Sequence, residues 1–215
     1  MERGARKGSM SAATEQPKCR LFLVAPSEGD VENLALCLEA ALGAGDVGCV
    51  CVDHSGDGEA VRRVVEALLP VGRAWGAAVI IARTVELAVA TGADGVELSD
   101  SPASVAAARK TLGDQAIVGG MAGASRHRAM EFAEAGVDYV ALRGKGPDGE
   151  PLAVWWAEIA TVPVVAAEPV SLEDADWLAR RKVDFVIPTP SIWASPSEAR
   201  AIAADYRRVL AEAGS

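Results

Sequence analysis

The sequence has no excess of basic residues and no long apolar run. Its 21 Lys and Arg residues face 30 Asp and Glu residues, which gives a formal net charge of −9 at pH 7. Because a protein that binds a nucleic-acid backbone needs a basic surface, this balance argues against a nucleic-acid partner. No apolar stretch approaches the ~20 residues that span a membrane, so the sequence predicts no membrane partner. A small anionic ligand remains compatible, since a few local cations and helix N-termini can outweigh the overall charge.

Cysteine is scarce and lacks the spacing of a metal or redox motif. The four cysteines are Cys19, Cys37, Cys49 and Cys51, with no CxxC pair and no Cys/His ligand pattern. Such cysteines are typical of buried, reduced thiols, which favours a cytoplasmic location. The sequence therefore predicts no metal site built on cysteine.

Several common catalytic signatures are also missing. The sequence contains no Walker A loop, GxSxG elbow, HExxH helix or GxGxxG fingerprint. Residues 1–18 carry basic charge but not the apolar segment of a secretory signal. We interpret residues 1–18 as a flexible tail and residues 19–215 as one domain.

Eight short apolar runs alternate with segments of helical periodicity along the remaining chain. The runs are rich in Val and Ile and too apolar to be half exposed, which is typical of parallel strands covered on both faces. This order predicts an α/β fold, a single (β/α)8 barrel. Two smaller doubly wound sheets are the alternative, which the lack of a Pro/Gly/Ser-rich linker disfavours. The predicted strands are Arg20–Ala25, Val47–Val52, Ala77–Ile81, Gly95–Leu98, Ala116–Gly119, Tyr139–Leu142, Val162–Ala166 and Phe185–Ile187.

Polar residues mark where two of the predicted helices begin. Ser101 followed by Pro102 predicts a helix start, because serine caps and proline suits the first turn. Ser195 and Glu198 have the spacing of a capping box and predict the start of the last helix.

A short unit recurs about every 45 residues, where a predicted helix ends and the next strand begins. Its three copies contain Asp94, Asp138 and Asp184. These positions lie at the N-terminal face of a barrel, where residues serve stability. We interpret the three aspartates as turn residues.

The stretch from Gly76 to Leu98 resembles a known family. It reads Ala-Val-Ile-Ile-Ala-Arg, then Gly-Ala-Asp-Gly-Val-Glu-Leu. This is similar to the pattern "I-I-N-D-R…G-A-D-G-V-H-L-G-Q" of the thiamine phosphate synthase/TenI family. Residues 20–24, 134–140 and 162–165 resemble that family's first strand, the entry to its sixth strand and its seventh strand. The likeness spans roughly residues 20–210 and implies a (β/α)8 barrel.

The resemblance also implies a chemistry. Thiamine phosphate synthases join an aminopyrimidine diphosphate to a thiazole phosphate, and Mg²⁺ helps the pyrophosphate to leave. TenI relatives act as thiazole phosphate tautomerases or have no settled role. A diphosphate leaving group needs a metal and cations to stabilise its growing negative charge. The resemblance thus implies a transferase of thiamine biosynthesis that uses Mg²⁺.

The chemical positions of the family pattern are altered at the C-terminal ends of the strands. Ala82 and Arg83 replace the Asn-Asp after the third strand, and Pro102 stands at the position of the aspartate after the fourth. The Gln-x-Arg-x-Lys and Thr-x-Thr-Lys motifs are absent, and Glu168-Pro169 replaces the Gly-Gly of the seventh strand. We therefore expect weak or lost synthase activity and no resident cofactor, with Mg²⁺ implied by the resemblance alone.

Polar residues at the predicted strand ends are the candidate ligand-binding residues, because functional groups of a barrel gather there. The sequence assigns no catalytic residue among them. Each could instead be a solvated loop residue. The acidic members could surround a cation, or they could pair with the neighbouring cations in neutralised clusters, and we favour the pairing. The candidates are Asp53, His54, Arg83, Glu97, Asp100, Arg143, Lys145 and Ser191.

Two functions remain open. The first is binding of a small phosphorylated ligand of the thiazole or pyrimidine type, with Arg143 and Ser191 among its contacts. The alternative is a non-catalytic ligand-binding or regulatory barrel. On the sixth predicted helix, one of Trp155 and Trp156 is expected to pack on the barrel. The other would mark an exposed or oligomeric surface, which is compatible with a homodimer.

Overall fold

A computed structural model of the protein describes residues 19–214, so the predicted tail of residues 1–18 lies outside the described part. Strands and α-helices alternate eight times along this part, and a 3₁₀ helix precedes the last α-helix. The strands are β1 Arg20–Ala25, β2 Val47–Val52, β3 Ala78–Ala82, β4 Gly95–Leu98, β5 Ile117–Gly123, β6 Tyr139–Leu142, β7 Val164–Pro169 and β8 Phe185–Ile187. The α-helices are α1 Val31–Ala44, α2 Gly58–Trp75, α3 Val85–Thr91, α4 Ser104–Leu112, α5 Arg126–Glu134, α6 Leu152–Ile159, α7 Leu172–Ala179 and α8 Pro196–Ala213, and the 3₁₀ helix is Pro190–Trp193.

The eight strands form one closed barrel of parallel neighbours, with β8 pairing with β1. This confirms the predicted (β/α)8 fold, and five strands have the predicted bounds. Strand β3 is displaced by one residue, while β5 and β7 extend further towards their C-terminal ends, each with a register shift. The apolar pattern ended these two strands early because Gly120 and Glu168 carry no apolar signal, although their backbones remain extended.

The two predicted helix starts have different outcomes. The last helix begins as predicted, because the Glu198 N–H donates to the Ser195 hydroxyl at 3.3 Å. The predicted start at Ser101 is wrong, and α4 begins at Ser104. Ser101 instead closes a turn, in which its carbonyl accepts the Ser104 N–H at 3.0 Å.

Apolar side chains pack on both faces of the barrel wall. Between wall and helices, Trp156 and Phe132 are among the largest fully buried side chains, while Trp155 is partly buried. Inside the barrel, the rings of Phe22 and Tyr139 meet edge to face with centroids 5.5 Å apart. Gly119 makes room for them, because a Cβ there would lie 2.1 Å from the Tyr139 ring. Within residues 19–214, every helix is too short or too polar to cross a membrane.

Each of the three recurring aspartates joins two neighbouring strands at the N-terminal face, namely β3 and β4, β5 and β6, or β7 and β8. Asp94, Asp138 and Asp184 precede β4, β6 and β8, and each carboxylate accepts a backbone N–H from the start of the preceding strand, at 2.7–2.9 Å. Asp94 also forms an ion pair with Arg73 of α2, and Asp138 forms one with Arg109 of α4. The three aspartates are structural, as the sequence pattern indicated.

Replacing Asp138 by alanine is expected to lower the free energy of unfolding by about 1–3 kcal/mol. The substitution leaves the Val118 N–H without its acceptor and the Arg109 guanidinium without its carboxylate. Asp138→Asn retains an oxygen acceptor for Val118 and should lose less. Urea denaturation of the three proteins measures this, and equal stability of wild type and Asp138→Ala would contradict the assigned role.

Candidate functional site

Three cavities open at the C-terminal ends of the strands, which form the mouth of the barrel. The barrel cavity, about 190 Å³, lies inside the barrel and is lined by Asp53, Arg83 and Glu97 over an apolar wall. The side cavity, about 700 Å³, lies between the loops after β6 and β7 and helix α7. The β8 cavity, about 400 Å³, adjoins the 3₁₀ helix and Trp193. The three cavities all share Ala167, so they are adjacent parts of one mouth.

Glu97 supplies the buried carboxyl of the barrel cavity. Its residue is 7% exposed, and its Oε2 accepts the Tyr139 hydroxyl at 2.8 Å. Burial raises the pKa of Glu97 to about 7, although the Tyr139 hydrogen bond and the charge of Arg83 both act to lower it. At neutral pH this carboxyl therefore exists in both protonation states.

Arg83 holds a strained backbone conformation at the rim of the same cavity. Its φ of 75° is unusual for a residue with a side chain. The residues on either side of Arg83 are hydrogen-bonded, because the Thr84 N–H donates to the Ala82 carbonyl at 3.1 Å. The three residues therefore form a γ-turn. The Arg83 N–H donates to the Glu97 carbonyl at 2.7 Å. Such strain costs of order 1–3 kcal/mol and is concentrated at functional sites. Arg83 is an exposed residue that also lines the barrel cavity, at the rim where this turn places it.

Arg143 and Lys145 line the side cavity, not the barrel cavity. Both are exposed. They flank Gly144, whose N–H donates to the Glu168 carboxylate at 2.9 Å. Lys145 also pairs with Pro151 in an isolated antiparallel bridge, which closes the loop after β6. A backbone donor and two cations thus meet at one wall of this cavity, and Glu168 occupies the backbone donor.

The remaining candidates lie around the mouth but do not line these three cavities. The Ser191 hydroxyl lies 2.7 Å from that of Thr189, on the exposed surface of the 3₁₀ helix. Asp100 is exposed, and its carboxylate accepts the Ser104 hydroxyl at 3.2 Å. His54 is half-buried, two residues after the end of β2. The structure therefore brings together Asp53, Arg83 and Glu97 in one cavity and two cations in another, whereas the sequence treated all eight as one group.

Neutralised clusters, which the sequence favoured, do not form. Among the ion pairs within residues 19–214, none joins Arg83, Arg143 or Lys145 to a carboxylate. The cations of the mouth are thus open to a ligand. Tyr139 is a site residue that sequence reasoning missed. The sequence feature that could have indicated it is a tyrosine in an otherwise apolar predicted strand. A buried tyrosine hydroxyl needs a hydrogen-bond partner, so such a residue indicates a polar group nearby.

The residues at the strand ends do not fit the magnesium site that the resemblance implies. Mg²⁺ takes hard oxygen ligands from one or two carboxylates and from substrate phosphates. At the end of β3 the chain presents the methyl of Ala82 and the cation of Arg83, which repels a divalent cation. The exposed Asp100 carboxylate is turned towards Ser104. No group of three or more potential metal-binding side chains converges within residues 19–214.

The sequence of the chain is similar to those of thiamine-phosphate synthases. A sequence model of the family described as thiamine monophosphate synthase (TMP-TENI) matches residues 21–190. A thiamine-phosphate synthase from Rhodospirillum centenum is 37% identical over 202 residues, covering 89% of this chain and 98% of that protein. A thiamine-phosphate synthase from Hyphomonas neptunium is 33% identical over 196 residues, covering 84% and 89%.

Solved structures share the fold at lower sequence identity. A thiamine phosphate pyrophosphorylase from Pyrococcus furiosus superimposes with a TM-score of 0.74 at 20% identity, covering 92% of this chain and 98% of that one. The (S)-3-O-geranylgeranylglyceryl phosphate synthase from Thermoplasma acidophilum, solved with sn-glycerol-1-phosphate, gives 0.68 at 15% identity, covering 91% and 94%. These two likenesses concern the fold alone.

Proposed function

The chain belongs to the thiamine monophosphate synthase family, and we propose that it binds a small phosphorylated ligand, of the thiazole or pyrimidine type, at the mouth of its barrel. We further propose that its pyrophosphate-displacing activity is weak or lost. Family membership supports a role in thiamine biosynthesis. The altered strand ends, with Arg83 where the family has an acid, support the loss of the synthase step.

The observation that carries the phosphate proposal is the open cation pair beside the side cavity. Arg143 and Lys145 make no ion pair with a carboxylate within residues 19–214, where seven of the thirteen other arginines do. A guanidinium can hold two phosphate oxygens at once, and an ammonium adds a point charge. The side cavity and the β8 cavity share Ala167 and Pro169, so a ligand held by Arg143 has room to extend towards Pro190. Ser191 follows Pro190 but does not line the cavity, and its contact with the ligand is part of this proposal.

Five acidic residues line the side cavity together with the two cations, and Glu168 is the one that competes directly for the backbone donor. The other four are Asp148, Glu150, Glu173 and Asp174. The Glu168 carboxylate accepts the Gly144 N–H, which is the backbone donor that a phosphate beside Arg143 would use. A phosphate must therefore displace this carboxylate or bind beside it. Removing the negative charge of Glu168 should strengthen phosphate binding, whereas removing Arg143 should weaken it.

Thermal-shift measurements with inorganic phosphate, thiazole phosphate and aminopyrimidine phosphate test this. A ligand at about a hundred times its Kd stabilises a fold by about 2.7 kcal/mol, or roughly 5–10 °C for a domain of this size. Arg143→Ala should lower the affinity about tenfold or more, because it removes a charge-assisted pair. Glu168→Gln should raise the affinity. Arg207→Ala, on the exposed distal half of α8, is the control and should bind like wild type. No shift with any of the three compounds, or equal shifts in Arg143→Ala, would refute the proposed site.

A further inference from the structure

We propose that Glu97 is a general base that takes a proton from a small carbon acid bound in the barrel cavity, with Arg83 stabilising the negative charge that develops on the ligand. This goes beyond the proposed phosphate binding, which involves the side cavity and the loop after β8. Either proposal can therefore fail without the other.

The geometry of Glu97 leaves one oxygen fixed and the other open. Oε2 accepts the Tyr139 hydroxyl at 2.8 Å, and Oε1 has no hydrogen-bond partner within residues 19–214. The one fully buried side-chain nitrogen or oxygen without a partner in that range is Arg126 Nε, so Oε1 of Glu97 keeps some accessible surface. Glu97 lines the barrel cavity. A ligand in this cavity therefore meets a carboxylate oxygen that the protein orients and leaves unoccupied.

The walls around this oxygen make it a stronger base than an exposed carboxylate. Phe22, Met121, Val165 and Ile187 line the same cavity and supply its apolar surface. Burial in such surroundings disfavours the charged form of the carboxyl, so the pKa of Glu97 lies near 7. A base with a pKa near the working pH combines availability with driving force for proton transfer. Its place in a cavity, rather than in the sealed core, distinguishes it from a purely structural buried acid.

The groups that face Glu97 set its titration. Asp53 raises its pKa, whereas the Tyr139 hydrogen bond and Arg83 lower it. The thiols of Cys49 and Cys51 also face Glu97. Burial raises the pKa of both thiols above the usual value, so both are neutral at pH 7. The titratable and charged groups concerned are Tyr139 from β6, Cys49 and Cys51 from β2, Asp53 after β2 and Arg83 after β3.

The proposed step is a proton transfer within the complex. The Glu97 carboxylate forms an O–H bond as the ligand's C–H bond breaks, and the electron pair of that bond moves into the adjacent π-system of the ligand. The negative charge arrives on a ligand oxygen or nitrogen beside Arg83, whose guanidinium makes no ion pair with a carboxylate within the described residues. The proton then returns from Glu97 to another ligand atom or to water. No oxidant, reductant or metal enters the balance.

The ring opening of 5-nitrobenzisoxazole tests this step with a probe of known chemistry. A base takes the C–H proton, the electron pair forms the nitrile, and the N–O bond breaks to give a coloured phenolate. The full-length protein should accelerate this reaction, with kcat/KM rising through a midpoint near pH 7. Glu97→Gln should lower the rate by about a hundredfold or more, as removal of a general base does.

Tyr139→Phe separates a positioning role from a structural one. It removes the hydrogen bond that lowers the pKa of Glu97, so the midpoint should move to higher pH while the high-pH rate persists. Asp205→Asn, on the outside of α8, should change neither. Circular dichroism at each pH establishes that the variants are folded. An unaccelerated wild type, a Glu97→Gln variant as fast as wild type, or an unchanged midpoint in Tyr139→Phe would each overturn the proposal.

Discussion

Given an aminopyrimidine diphosphate and a thiazole phosphate, the protein is expected to form thiamine phosphate at least about a thousandfold more slowly than a synthase that keeps the family's acidic residues. The departing pyrophosphate gains negative charge in the transition state, which a metal and several cations must stabilise. Here Arg83 stands in place of an acid after β3, and Pro102 stands in place of another after β4. Losing these contacts should cost about 4 kcal/mol or more of transition-state stabilisation.

Growth rescue and a direct assay measure this expectation. The gene should fail to support a thiamine-requiring strain, and purified protein with saturating Mg²⁺ should release pyrophosphate at least about a thousandfold more slowly than the intact synthase. The intact synthase serves as the positive control under the same conditions. Rescue through the ordinary coupling reaction would contradict the account and would mean that other residues of the mouth replace the missing acids.

The free energy of unfolding is expected to fall by about 3 kcal/mol because of Glu97 as pH rises from about 4.5 to about 7. In the unfolded chain this glutamate has its ordinary pKa of 4.5, whereas in the folded protein burial raises its pKa to about 7. Between these values the folded state binds more protons than the unfolded state, so stability decreases with rising pH. The size follows from the free energy that corresponds to each pKa unit.

Glu97→Gln removes this titration. The stability difference between variant and wild type should therefore shift by about 3 kcal/mol in favour of the variant between pH 4 and pH 8. Other titrating groups cancel in this difference. Glu39→Gln, at an exposed position on α1 that makes no ion pair within residues 19–214, is the matched control and should not show this change of about 3 kcal/mol. A constant difference for Glu97→Gln as well would mean that Glu97 titrates normally.

The fold could be predicted from the sequence because its signals are local. Strands β1, β2 and β4 are buried on both faces of the barrel wall, so most of their residues are apolar. Such a run of apolar residues can be recognised in the sequence alone. The position of the recurring aspartates at the N-terminal face was also predictable, because each stands where a helix ends and the next strand begins. Their hydrogen bonds to the preceding strand were not predictable, because the partners are 15 to 20 residues away in the chain. The ends of β5 and β7 were not, because register shifts near Met121 and Glu168 depend on the neighbouring strands.

The candidate site could be predicted only as a group of residues at one end of the barrel. Glu97 lies within β4 and lines the barrel cavity, whereas Arg143 lies in the loop after β6 and lines the side cavity. The sequence placed both at strand ends, because the direction that a side chain or a loop takes depends on the neighbouring strands. The strained turn at Arg83 could not be predicted from the sequence either, because arginine does not favour a positive φ. Tyr139 was missed because its partner is 42 residues away in the chain.

A crystal structure of the protein grown with thiazole phosphate tests the proposed function most directly. The account predicts a phosphate in the side cavity within hydrogen-bond distance of the Arg143 guanidinium, with the Glu168 carboxylate displaced from the Gly144 N–H. Thiazole phosphate bound at another surface, or a side cavity that remains empty at saturating ligand with the Gly144–Glu168 contact intact, would contradict it.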